Sequence, residues 1–216
     1  MALLHRASIV PTKLEAINAW LPQQPWALDA GEVETLGAFR FDDPAGEVGV
    51  ETFLVRDAAG GVLQVPLTFR GAPLPDGERW LVTTMEHTVL GSRWVYDGCG
   101  DPAYVATLAA TIAEAAGEAR EVVRQGDGTE VERDPSARAS GTGGAAPLAD
   151  TAFDVGRALG EEAVTDVDGW TLVRVGGATL GVSRHPAAAP ADPPAGVLTG
   201  HAGEATGPLL LATLTR

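Results

Sequence analysis

The 216 residues are enough for one ordinary domain or two small ones, and a chain of this size buries roughly 70% of its surface without staples. Hydrophobic residues at 45% and charged residues at 20% describe a globular chain rather than a disordered one, and a net charge of −14 repels phosphate backbones and anionic membranes. The lone Cys99 rules out an internal disulfide and a cysteine-based zinc site.

Residues 2–10 are an apolar run of strand character. The start, Met1 to Lys13, has no 7–15-residue apolar core with a cleavage site, so no signal peptide is expected. No stretch approaches the roughly 18 apolar residues of a membrane span, and the expected compartment is the cytoplasm. Thr12 and Glu15 have capping-box spacing, and Leu14, Ile17 and Leu21, with Ala16 and Trp20 beside them, make one helical stripe that Pro22 ends. Residues 37–57 alternate around the turn-rich DDPAG. Val48, Val50, Thr52 and Leu54 take one face; Glu51, Phe53 and Val55 take the other. Val62–Arg70 is the next strand, and Pro66, which has no N–H, places it at an edge or a bulge.

Arg79–Leu90 and Arg93–Asp97 read as a hairpin across Gly91-Ser92, a two-residue loop with glycine first. That register pairs Val89 with Trp94, His87 with Tyr96 and Glu86 with Asp97. Met85, His87 and Val89 then share a face with Trp94 and Tyr96, with His87 expected in the core. Asp101-Pro102 caps a helix whose apolar positions continue from Tyr104 to about Arg124. Gln125–Pro147 has almost no large apolar residues and reads as a flexible linker. Asp150–Leu159 is a possible helix. WTLVRV and ATLGVSR form two strands joined at Gly176-Gly177, Pro186–Gly196 is an extended spacer, and Val197–Thr199 and Leu209–Thr215 are short strands.

Few residues suggest chemistry. His87 beside Glu86 is the first acid–base candidate, and Glu86 facing Asp97 would be a carboxylate pair. Together with Trp94 and Tyr96 they form the one ligand-binding constellation, Glu86, His87, Trp94, Tyr96 and Asp97. A hydrogen-bonded structural histidine and a solvated acidic face explain the same residues. Cys99 lies in a glycine turn with no Cys–His motif around it. His5, His185 and His201 have no metal spacing, and the Gly141–Gly144 and Gly200–Gly207 stretches lack the lysine of a phosphate loop. The five tryptophans are core or interface payload, or sugar-stacking platforms. No catalytic residue, metal site or cofactor is assigned.

Four strings, Pro11–Trp26, Gly37–Asp57, Gln64–Leu74 and Met85–Pro102, resemble the maltokinase N-terminal cap domain, over roughly residues 1–124. The resemblance implies a curved antiparallel sheet packed on a helix, similar to a cystatin, in proteins of maltose, trehalose and glycogen metabolism. In the kinases that carry it, this cap precedes the body that phosphorylates the sugar with ATP. Phosphoryl transfer needs a phosphate-contacting lysine and metal-binding Asp and Asn residues in a catalytic loop. Lys13 is the only lysine and Asn18 the only asparagine, so an autonomous kinase is not expected.

The expected fold is α+β: a curved antiparallel sheet on a long helix, Pro102–Arg124, then a smaller β-rich part. The boundaries are 1–124 for the cap-like domain, 125–147 for the linker and 148–216 for the C-terminal part. The expected role is a non-catalytic binding or regulatory module of α-glucan metabolism. Its partner would be a kinase or glucan-metabolising enzyme, or a second copy of itself, and neither nucleic acid nor membrane. A small enzyme of unrecognised type acting on a sugar, or a structural homo-oligomer, is the alternative.

Overall fold

A computed structural model describes residues 2–5, 7–125, 129–146, 148 and 154–216. The fold is mixed and β-rich, with few helices and a curled antiparallel sheet. The first six-stranded sheet is built from β2 (Ile9–Val10), β3 (Glu34–Phe41), β4 (Gly49–Arg56), β5 (Val62–Arg70), β6 (Leu81–His87) and β7 (Gly91–Asp97). Its order is β2-β6-β7-β5-β4-β3, antiparallel throughout. The second contains β10 (Arg138–Gly141), β11 (Val164–Val167), β12 (Trp170–Val175), β13 (Ala178–Ser183), β14 (Val197–His201) and β15 (Leu209–Thr215), in the order β10-β14-β15-β13-β12-β11. β1 (Ala2–His5) pairs in parallel with β8 (Glu121–Arg124), which also holds β9 (Glu130–Arg133).

The capping box at Thr12 is formed: the Glu15 amide donates to the Thr12 hydroxyl and the Thr12 amide to the Glu15 carboxylate. It starts α1 (Lys13–Trp20), which buries Ala16, Ile17 and Trp20 against Phe53, Val55, Leu63, Val65 and Met85. On the other face of the same sheet Val50, Leu54 and Tyr96 enter a larger core, shared with α2 (Pro102–Ala113) and with Leu180, Val182, Leu211 and Leu214 of the second sheet. The alternation along residues 48–55 therefore sorts side chains between two cores. Pro66 is accommodated because the β5–β7 ladder begins only at Leu67. The Gln64 amide, two residues earlier on the same side, donates instead to the carbonyl of Arg184, so at Pro66 no N–H is missed.

Three expectations are corrected. The long helix stops at Ala113 instead of continuing to Arg124. Ala115 takes a left-handed φ of 55°, the Ala116 amide bonds the Thr111 carbonyl and the Ala115 amide bonds Ile112, which is a Schellman closure built without glycine. Beyond it, Glu121–Arg124 is strand. The expected linker carries β9 and β10. Its Gly-rich end seals the helix, where the Gly143 amide donates to Ile112 and a Cβ on Gly141 would lie 2.2 Å from the Thr111 carbonyl oxygen. The hairpin register is also different. Trp94 pairs with Thr84, not Val89, a slip of five residues. An odd slip exchanges the two faces of the strand. The cause is a three-residue loop, Thr88–Leu90, whose Val89 and Leu90 amides donate to Nδ1 of His87. Gly91, at φ 72°, then supplies the left-handed position of such a loop.

The Asp150–Leu159 helix falls on residues outside the described set up to 153, and residues 154–159 are turn and irregular chain. Among the described residues no helix is long and apolar enough to cross a membrane.

Candidate functional site

A groove of about 750 Å³ runs beside α2, between that helix and the loop joining β3 to β4. Asp101-Pro102 positions it. The Asp101 carboxylate is fully buried at the helix start and accepts from the Ala103 amide at 2.9 Å and the Thr68 hydroxyl at 2.6 Å. Arg70 closes on it bidentately, with both contacts at 2.7 Å. Burial works against the Arg70 cation, and Asp101 more than restores it, so its pKa is raised. Arg70 also donates to the Val155 carbonyl at the groove's end. The floor is Ala106 and Ala110 with Thr107 and Thr111, and each threonine hydroxyl is spent on a carbonyl one turn back.

A second polar cluster lies between the sheets. Arg184, 1% exposed, donates from Nη2 to Asp97 at 2.6 Å and from Nε to the Thr171 hydroxyl at 2.7 Å, which in turn donates to Asp166. Its Nη1 finds no acceptor among the described residues, and the Trp26 ring stacks 4.4 Å from the guanidinium. Burial opposes this cation as well, and Asp97 holds it firmly protonated. Neighbouring Cys99 is fully buried, and burial drives its thiol far above the ordinary range, which removes it as a nucleophile.

The third cluster sits under α1. Glu51 accepts from Lys13 and from Arg40 at 3.0 Å, and Arg40 approaches Glu121 at 3.5 Å. Lys13 lies over the Phe53 and Phe69 rings. Burial would raise the Glu51 carboxyl, but Arg40 and Lys13 hold it below the usual value. Burial lowers the Lys13 amine in spite of Glu51. The lysine is thus held by a carboxylate and two rings, in a structural setting.

The five residues singled out in sequence are not brought together. Glu86 is exposed at the hairpin tip and accepts from the Ser92 hydroxyl at 2.7 Å. His87 is half-buried and holds its own loop, so it is neither in the core nor beside Tyr96. Trp94 packs at the margin of the larger core. The Tyr96 hydroxyl accepts from the Leu74 amide at 2.8 Å inside that core, and Asp97 is committed to Arg184. Glu86 faces Ser92, not Asp97, so the carboxylate pair does not form. None of the five lines the α2 groove. Sequence reasoning overlooked Arg184, whose one signal was a guanidinium directly after the apolar alternation of ATLGVS. It also overlooked the groove, because its two walls come from segments 60 residues apart (Asp43 and Ala103). Among the described residues no cluster of three His, Cys, Asp or Glu side chains is placed to hold a metal ion.

No curated protein matches this chain in sequence comparison. Residues 20–101, which build most of the first sheet and end at the cap of α2, match the family model of the maltokinase N-terminal cap domain.

Proposed function

We propose that this chain is a non-catalytic, cap-type module of α-glucan metabolism that works by binding a protein partner. The observation that carries this reading is the cap-domain match over residues 20–101, which associates the chain with maltokinase-type metabolism. The side-chain arrangement supports it. The buried charges are tied to one another, as Arg184 with Asp97, Arg70 with Asp101, and Lys13 and Arg40 with Glu51. A catalytic acid or base has to stand within reach of a substrate atom, and each of these groups is held in an ion pair, Arg70 at the edge of the α2 groove. Lys13, the only lysine, is held against Glu51 and two phenylalanine rings, away from any phosphate cradle. A cystatin-like description of the sheet and helix, and a cytoplasmic location, belong to the same reading. The packing of α2 on the sheet supports the first and the family association the second.

The experiment is phosphoryl transfer with the purified chain, labelled ATP and each of maltose, glucose and glucosamine. The expected result is no transfer above a heat-inactivated control. Turnover that persists in a second independent preparation would overturn the reading in favour of an enzyme.

A further inference from the structure

We infer that the buried seam between the two sheets holds an internal water molecule, bound by Gln64 Oε1 of β5 and Thr52 Oγ1 of β4. Both residues are 1% exposed, and neither oxygen has a hydrogen-bond partner among the described residues. Thr68, the third polar side chain buried on that face, shows the ordinary outcome, because its hydroxyl donates to Asp101 at 2.6 Å. A buried polar atom left without a partner costs more than a made hydrogen bond gains, so two orphans on one face point to a ligand that answers both.

The strand register puts the two side chains side by side. Leu54 stands opposite Gln64 and Thr52 opposite Pro66, so Thr52 and Gln64 are diagonal neighbours on one face of the β4–β5 pair. Such neighbours lie about 7–8 Å apart, a gap that one bridging molecule spans with a bond of about 2.8 Å on each side. The far end of Gln64 fixes which atom faces the gap. Its Nε2 donates to the Leu211 carbonyl at 3.1 Å, and that carbonyl only accepts, so Oε1 is turned away from it. The Tyr104 hydroxyl of α2 comes close to the Thr52 hydroxyl without a bond of normal geometry between them, and it brings a third polar group to the place.

The chemistry of these groups selects the occupant. Gln64 Oε1 accepts only, so the occupant must carry a donor hydrogen, which excludes a halide. The groups are two hydroxyls and an amide oxygen, with no carboxylate among them to balance a buried cation. A single neutral molecule that donates to the amide and exchanges bonds with both hydroxyls meets every requirement. Water does so with three partners, the usual number for a buried water. It ties β4 and β5 to α2, and through Gln64 to Leu211 of the second sheet.

The test is a high-resolution crystal structure of the full chain. The expected result is one water peak within hydrogen-bond distance of both Gln64 Oε1 and Thr52 Oγ1. No peak there overturns the inference, as does a direct bond to Gln64 Oε1 from Thr52 or from the unpartnered Arg184 Nη1. In solution, water-oxygen magnetic relaxation dispersion compares the parent with Thr52→Ile, whose added methyl group takes the place of the water. The variant should lose the contribution of one long-lived water. An unchanged dispersion from the folded variant overturns the inference. Should Thr52→Ile melt early, Gln64→Leu, which removes the acceptor, is measured in its place with the same two outcomes. Neither experiment reads phosphoryl transfer or partner binding, so failure here leaves the proposed function where it stood.

Discussion

The two six-stranded sheets obey different rules. In the sheet that carries the cap match, β4 and β5 are buried on both faces, one under α1 and the other on the larger core. In the second sheet burial is less even, as along β12, where Thr171 and Val173 are buried while Arg174 is exposed. The cap sheet's face toward its neighbour buries the uncharged polar side chains Thr52, Gln64 and Thr68, whereas the face under α1 buries the Glu51 ion cluster. Several polar groups on the neighbour's side are answered from other elements: the Gln64 side chain donates to the Leu211 carbonyl, Trp80 Nε1 to the Leu159 carbonyl, and Arg184 to Asp97, while Thr52 Oγ1 and Gln64 Oε1 find no hydrogen-bond partner among the described residues. A buried polar group without its partner costs far more than the bond gains. The family-matching segment is thus completed by residues from beyond its own boundary.

Cutting the bond between the sheets should have the largest effect. Asp97→Ala leaves the Arg184 cation buried without an anion, and the expected loss is about 3–5 kcal/mol in urea unfolding. A loss near zero would mean that the sheets do not depend on each other at this point. Next in size is the seal at the end of α2. Gly141→Ala puts a methyl group against the Thr111 carbonyl, in backbone that has no room to yield, and should cost about 1–3 kcal/mol by overpacking. A Gly46→Ala control, in a turn where no atom lies within 4 Å of the added Cβ, carries only its own strain at φ 71°.

The smallest effect concerns pH and is read in the cap sheet at Glu51, the most deeply buried of the depressed carboxylates. Glu51 is depressed in the folded chain, so the unfolded chain takes up the proton first as pH falls. Its contribution is complete above about pH 4.5, the ordinary carboxylate value, and is lost as pH drops through the lower folded value. Glu51→Gln should flatten that acid limb of the melting curve, whereas Asp97→Ala should lower the whole curve. A parent curve with no slope below the carboxylate range would contradict the ion cluster under α1.

The sequence revealed the local rules well and the long-range ones poorly. The Thr12 box, the Asp101 cap, the residues 48–55 alternation and the Gly176-Gly177 turn rest on neighbours within a few positions, and each is formed. The hairpin register failed because Gly91 serves a two-residue and a three-residue loop equally, and the His87 imidazole decides between them. The helix ran on in sequence because its stop uses Ala115, a residue with no preference for a left-handed φ. Glu130–Arg133 and Arg138–Gly141 lacked the apolar pattern of strands because the first is wholly exposed and the second alternates on small residues. The Arg184–Asp97 pair joins residues 87 apart, and nothing local announces it.

Differential scanning calorimetry of the full chain tests the shared core most directly. The account predicts a single transition with calorimetric and van't Hoff enthalpies in agreement, because both sheets contribute to one core. Two resolved transitions, with Asp97→Ala moving only the one that belongs to the cap sheet, would contradict it.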